Sequence, residues 1–186
     1  GAVLVPPYDD ADIMAGQGTI GLEIARQADA MEAKLDAVLG PCSGGGMIGG
    51  TAIALRKLSP ETEIYAVEPE GFDDVARSLA SGEIESNAQL SGNICDAIIT
   101  PRPGNITFPI MKRLCGPGLV VTEEEALRAM HAAFRHLKIV AEPGGAVALA
   151  AALYRGSEIE GDAVICTVSG GNVDPDVFRR ALDTTF

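Results

Sequence analysis

The sequence predicts an α/β domain of three layers, a mostly parallel sheet covered by helices on both faces. Three observations lead there. Strand-like and helix-like runs alternate along the chain. The strand-like runs are nearly continuous in apolar residues, as in Ala163-Val164-Ile165-Cys166-Thr167-Val168, the pattern of strands buried on both sides. The composition, with 22 Gly, no Trp and 4% aromatic residues against 47% hydrophobic, suits a small-residue core better than a β-sandwich.

In chain order, residues 2–5 read as a strand, Pro6 and Pro7 open a polar turn, and a helix runs from about residue 18 to 28. The apolar strand 37–39 leads into the glycine-rich turn Gly40-Pro41-Cys42-Ser43-Gly44-Gly45-Gly46-Met47-Ile48-Gly49-Gly50, and a helix leaves it over residues 51–58. Residues 63–67 form a β-rich strand, and Asp73 and Asp74 open the next helix, where carboxylates suit the helix dipole. A polar stretch from 81 to 92 and a Pro/Gly-rich loop at 100–104 precede a helix over Thr107–Leu114. Residues 118–121 are a strand, and Thr122-Glu123-Glu124-Glu125 is a capping box opening a helix to about His136. Pro143 fits the first turn of an Ala-rich helix reaching Tyr154. The strand 163–168 ends in a second glycine loop, Ser169-Gly170-Gly171-Asn172, and Asp174-Pro175 caps the last helix.

The 186 residues suit a single α/β domain without internal repeat or linker. A net charge of -12 and a pI near 4.5 repel nucleic acid and anionic membrane, so neither is expected as a partner. The four cysteines, Cys42, Cys95, Cys115 and Cys166, lack metal-type or disulfide-framework spacing and read as free thiols of a reducing cytoplasm. The chain starts at Gly1 on a strand-like run, which reads as a piece of a longer polypeptide.

The glycine-rich turn stands between an apolar strand and a helix, an arrangement that binds anions. Glycines let backbone N–H groups close on an oxyanion, and the helix dipole favours negative charge there. Several readings meet at this loop. Gly44-x-Gly46-x-x-Gly49 fits the dinucleotide fingerprint, with Glu68 ending the next strand where a ribose-binding acid belongs. Gly40-Pro41-Cys42-Ser43-Gly44 has the form of a nucleophile elbow, but His131 and His136 fall within a helix and on different faces of it. The loop also suits a single phosphate monoester such as that of pyridoxal 5'-phosphate, and a tight turn that binds nothing is the plain alternative.

The rest of the chain separates these readings. Ala15-Gly16-Gln17-Gly18-Thr19, Pro41-Cys42-Ser43-Gly44-Gly45-Gly46-Met47, Val67-Glu68-Pro69, Pro103-Gly104-Asn105-Ile106-Thr107-Phe108, Val121-Thr122-Glu123-Glu124-Glu125, Ala141-Glu142-Pro143-Gly144-Gly145-Ala146 and Val168-Ser169-Gly170-Gly171-Asn172 occur in this order. Together they resemble the serine/threonine dehydratase and serine racemase family of pyridoxal-phosphate enzymes, over essentially the whole chain. The fold implied is the large-domain part of fold type II, the tryptophan synthase β-like class.

The resemblance implies roles. Ser43, Gly44, Gly45, Gly46 and Met47 would hold the cofactor phosphate through backbone N–H groups, with Ser43 where many members have glycine. Ser169 would meet the pyridine nitrogen and Asn172 would shape its loop. Ala97 falls where members usually carry a glycine beside the cofactor ring. Glu142 would lie in the loop beneath the cofactor, or serve as a helix cap. Glu68 and Asp74, with the Phe72 carbonyl, match the divalent-cation site of racemase-like members, a set of hard oxygen ligands for magnesium or calcium. Asp74 as an N-terminal helix charge and Glu68 as a strand-end carboxylate are the alternatives.

The cofactor-carrying lysine of the family stands in a Ser-x-Lys motif, and none of Lys34, Lys57, Lys112 and Lys138 has that context. The asparagine loop, the serine of the opposite ring face and most of the small domain are absent from the motif series as well. Residues 1–186 thus read as one incomplete α/β domain whose N-terminal segment and small domain lie elsewhere in the parent protein. The expected parent is a homodimeric, cytoplasmic, pyridoxal-phosphate-dependent ammonia-lyase. Its substrate would be a small β-hydroxy amino acid such as threonine, serine or 3-hydroxyaspartate, converted to a keto acid and ammonia. A nicotinamide-binding Rossmann domain and a non-catalytic fragment that retains only the fold are the competing readings.

Overall fold

The computed structural model describes residues 1–185. Strands β1 (Ala37–Pro41), β2 (Glu63–Pro69), β3 (Leu119–Val121) and β4 (Val164–Cys166) form one parallel sheet in the order β3-β2-β1-β4. Ala37 pairs with Glu63 on one side and Val164 on the other, and Val67 pairs with Leu119. Side chains alternate across the sheet as the pleat requires. Val38, Ile64 and Ala66 enter one core with α1 (Ala11–Ala30), α2 (Gly46–Leu58), and Val75 of α3 (Asp74–Ser81) and Met111 of α4 (Thr107–Leu114). Ala37, Leu39, Tyr65 and Val67 enter the other with α5 (Glu123–Ala132), α6 (Pro143–Tyr154) and α7 (Pro175–Leu182). The three layers and the parallel sheet are those the alternating pattern predicts.

α2 crosses α1 backbone against backbone. A Cβ on Gly50 would collide with the Met14 carbonyl, and one on Gly21 with the Thr51 carbonyl and the Ala54 methyl. These glycines are why the two helices can lie so close, while the cap of α1 corrects its expected start near residue 18. Asp10 caps the helix, its Oδ1 accepting from the N–H groups of Asp12 (2.9 Å) and Ile13 (3.1 Å), so α1 begins at Ala11 and runs through Gly16 and Gly18. α2 likewise begins at Gly46, five residues before the expected start at Thr51.

Residues 2–5 are not a strand. They pair with none of the four strands, and Val3, Leu4 and Val5 are 86%, 90% and 65% exposed. β4 is an edge strand of three residues with Val164 exposed, shorter than the apolar run 163–168 suggests. The helix expected to reach His136 does so in two parts, since after Ala132 the chain widens into a π-helical turn over Ala133–Leu137 that stops at Lys138 in the left-handed region (φ 61°). Among the described residues, no helix is long and apolar enough to cross a membrane.

Candidate active site

β1 lies between β2 and β4, so the chain leaves it to one side and returns on the other. Crevices at the carboxyl ends of parallel strands form at such a switch point. After Pro41, the Cys42 N–H still donates to the Val67 carbonyl (2.9 Å), and then the chain turns over the end of the sheet. Gly45 adopts φ 91°, a left-handed conformation that favours glycine, and α2 starts at Gly46. No side chain caps this helix and no acid lies in its first turn. The first ladder bond is from Gly49 N–H to the Gly45 carbonyl (2.9 Å), which leaves the preceding amides as donors for an anion.

A cavity of about 380 Å³ opens in front of these amides. Ser43, Gly44, Gly45, Gly46 and Met47 line it, and so do Ala97 and Ser169 from segments distant in sequence. The structure thus brings seven of the nine expected cofactor-contacting residues to one space. Glu142 and Asn172 are not among those lining it. Glu142 is the N-cap residue of α6, but its carboxylate caps no N–H; instead it stands against Gly170, where a Cβ would overlap it, and its own N–H donates to the Gly170 carbonyl (3.0 Å). It supports the Ser169 loop from behind. Asn172 is exposed.

Tyr8, Gln17 and Thr100 also line the cavity, and the sequence reading assigned them no role. The Thr100 hydroxyl is buried without a hydrogen-bond partner. Gln17 stands within the Ala15–Thr19 motif, which is the sequence signal that points to it.

The nucleophile elbow fails on geometry. Cys42 is 3% exposed, its thiol faces Met111 Sδ at 3.9 Å, and burial pushes it well above the ordinary thiol range. His131 lies on α5, in the opposite layer, with Nδ1 3.0 Å from the Thr184 carbonyl. The dinucleotide reading loses its acid. Glu68 is fully buried, its Oε1 and Oε2 accepting from the N–H groups of Val75 (3.1 Å) and Ala76 (2.8 Å), so it caps α3 in place of Asp73.

Glu68 and Asp74 form a buried acidic pair. Burial, then the Asp74 charge, raise the Glu68 carboxyl well above the usual range, against its two amide hydrogen bonds. Burial likewise pushes Asp74 up to about 6, against the hydrogen bond from Asn87 Nδ2 to its Oδ1. Asp74 Oδ2 is buried with no partner. Phe72, between Glu68 and Asp74 in the sequence, is buried, its N–H donating to the Pro69 carbonyl (3.0 Å). A carboxylate oxygen left unpaired next to a second buried carboxylate fits a hard cation. Among the described residues, no cluster of three or more His, Cys, Asp or Glu side chains offers itself as a metal centre.

A parallel α/β sheet with an uncapped helix N-terminus at its switch point is the arrangement of α/β proteins that bind phosphates. The family model described as pyridoxal-phosphate dependent enzyme matches residues 1–171, and the chain belongs to that family, of fold type II. It is 40% identical to a serine racemase of Dictyostelium discoideum, over 97% of this chain and 55% of that protein. It is 36% identical to a catabolic L-threonine dehydratase of Escherichia coli, over 94% of this chain and 52% of that protein. The crystal structure of a T.th. threonine deaminase superposes with a TM-score of 0.87 at 41% identity, covering 90% of this chain and 60% of that one. The chain spans about half the length of the curated relatives it matches.

Proposed function

We propose that this chain is the phosphate-holding and ring-contacting part of a pyridoxal-phosphate-dependent ammonia-lyase acting on a small β-hydroxy amino acid such as threonine, serine or 3-hydroxyaspartate. The observation that carries the reading is the convergence of the uncapped α2 amides, Ala97 and Ser169 on one cavity. The cradle fits the group, since Gly44 and Gly45 leave no room for a Cβ and the first turn of α2 carries no acid.

When bound, pyridoxal phosphate supplies an electron-withdrawing ring that eases loss of the substrate Cα proton and of the β-hydroxyl. The backbone N–H groups of Ser43, Gly44, Gly45, Gly46 and Met47 would hold the phosphate, with the α2 dipole in support. Ser169 would offer its hydroxyl to the pyridine nitrogen; a hydroxyl, unlike a carboxylate, does not enforce protonation there. Ala97 would lie beside the ring. Glu142 would keep the Ser169 loop in place through Gly170, and the free Thr100 hydroxyl would meet whatever ligand fills the cavity. Glu68, Asp74 and the Phe72 carbonyl would hold magnesium or calcium and so tie β2 to α3. Four free thiols support a cytoplasmic protein, and a homodimer is the assembly the family resemblance implies.

The test is turnover by the full-length protein with added pyridoxal phosphate. Release of keto acid and ammonia from one of these amino acids is expected, with Ser169→Ala lowering turnover and leaving folding intact. A full-length protein that binds the cofactor and deaminates none of them sinks the substrate assignment. A Ser169→Ala protein with full activity and an unchanged cofactor spectrum sinks the role of that serine. Residues 1–186 alone, without a Ser-x-Lys motif, are expected to bind phosphate and turn over nothing.

A further inference from the structure

We infer that Thr107 is the positioning residue of the anion cradle, holding the Gly44 carbonyl turned back so that the Gly45 N–H points to the bound phosphate. The inference rests on the reading that residues 43–47 hold the cofactor phosphate.

Thr107 is fully buried at the first turn of α4. Its hydroxyl donates to the Gly44 carbonyl (2.5 Å) and accepts from the Gly104 N–H (3.0 Å). The Gly104 N–H reaches the same carbonyl at 3.1 Å. One carbonyl of the cradle therefore takes two donors from a loop about sixty residues further along the chain. In a planar trans peptide, the C=O of one residue and the N–H of the next point in opposite directions. The Gly44–Gly45 peptide is trans, so a Gly44 carbonyl directed at Thr107 directs the Gly45 N–H the other way. That N–H donates to no protein acceptor among the described residues.

The grip is itself anchored. Asp9, in the left-handed region at φ 60°, accepts from the Ile106 N–H (2.5 Å) and, through its second oxygen, from Asn105 Nδ2 (3.5 Å). That conformation is uncommon outside glycine, and aspartate is one of the few residues that adopts it readily. The loop 104–107 is thus pinned between Asp9 on one side and Gly44 on the other. Thr107 Oγ1 and the Met111 thioether also fill the space a Cβ on Gly45 would need, so the loop packs directly against the residue that follows this carbonyl. With glycine at both positions, nothing intrinsic to the backbone sets the orientation of this peptide; the hydroxyl of Thr107 does.

The experiment compares Thr107→Val, which keeps the shape and loses the donor, with Thr107→Ser, which keeps the donor, in the full-length protein. Titration with pyridoxal phosphate should show affinity about tenfold weaker for Thr107→Val and near that of the unmodified protein for Thr107→Ser. The phosphorus NMR shift of the bound cofactor phosphate should move in Thr107→Val only. A purely structural threonine would lower the melting temperature and leave both affinity and phosphorus shift in place, and that result overturns the inference. Should Thr107→Val fail to fold, the unmodified protein decides. On titration of glycine-labelled apoprotein with inorganic phosphate, the Gly45 amide resonance should move downfield, and an unmoved Gly45 amide overturns the inference equally. If the unmodified protein takes up neither phosphate nor cofactor, the reading of the cradle falls and takes this inference with it. If it binds and Thr107→Val binds as tightly, only the role of Thr107 falls.

Discussion

The ring of Tyr8 packs directly against the backbone of Gly44, in the space a Cβ at that position would occupy. A residue near the start of the chain therefore forms the wall of a loop that begins more than thirty residues later. The contact means that the requirement for glycine at 44 is steric and has a named cause.

Gly44→Ala should accordingly destabilise the protein by about 1–3 kcal/mol, the usual cost of overpacking. Tyr8→Ala removes the ring and makes room. The double variant should recover part of the loss, with a coupling of about 1 kcal/mol in a denaturant double-mutant cycle. Strict additivity would show that the alanine is accommodated elsewhere.

For the acidic pair, millimolar magnesium or calcium should raise the melting temperature of the unmodified protein, through mass action on the native state. Glu68→Ala should abolish the rise and Asp74→Asn should weaken it. A melting temperature indifferent to either cation in the unmodified protein rejects the site.

The same pair makes stability depend on pH. Burial raises the Asp74 carboxyl from its ordinary range to about 6, so the folded protein binds a proton there more readily than the unfolded chain does. The stabilisation by that proton is complete below about pH 4 and is lost as pH rises through about 6. In the absence of divalent cation, chemical denaturation between pH 7 and 5 should show a contribution that grows as pH falls, and Asp74→Asn should remove it. Added cation should oppose this trend, since it favours the ionised pair, and its benefit should increase with pH.

Glu125 does two things at the start of α5. Its carboxylate accepts from the Thr122 N–H (2.8 Å) within a capping box and pairs with the Arg155 guanidinium (2.6 Å), which also donates to the Val120 carbonyl (3.0 Å). Glu125→Ala should cost about 2 kcal/mol in urea unfolding, of which Thr122→Ala, which removes only the cap, should account for about 1. Equal costs would mean that the Arg155 pair contributes nothing measurable, as many partly exposed pairs do.

What was legible in the sequence is what depends on near neighbours. The Gly44–Gly46 cradle, the Thr122 capping box and Pro143 at the start of α6 announce themselves because backbone conformation and caps are decided within a few residues. The start of α1 lies earlier than the glycines at 16 and 18 suggest, because the Asp10 cap fixes it and Gly18 is where α2 comes close. Residues 2–5 carry a strand pattern, and a pattern cannot say whether a partner strand is at hand. Tyr8, Asp9, Thr100 and Thr107 escaped the reading for another reason. Tyr8, Asp9 and Thr100 in loops, and Thr107 at the head of α4, acquire their roles only when the fold brings them to Gly44 or to the cavity.

The crossing of α1 and α2 sets the gauge of this cavity. Helices separated by side chains can be moved apart or together by exchanging large residues for small ones. Here Gly50 meets the Met14 carbonyl and Gly21 meets Thr51, and a glycine cannot be trimmed further. Gln17, next to that crossing on α1, and Met47, at the head of α2, share the cavity, and the crossing behind them is closed at Gly50 by main chain. Substitutions elsewhere in the protein can change what the cavity is lined with on its other sides. The close crossing at Gly50 leaves little room to bring these two helices nearer, so variants selected for wider or narrower substrates should carry their changes in the loops around residues 8, 100 and 169 and leave the glycines of the helix pair untouched.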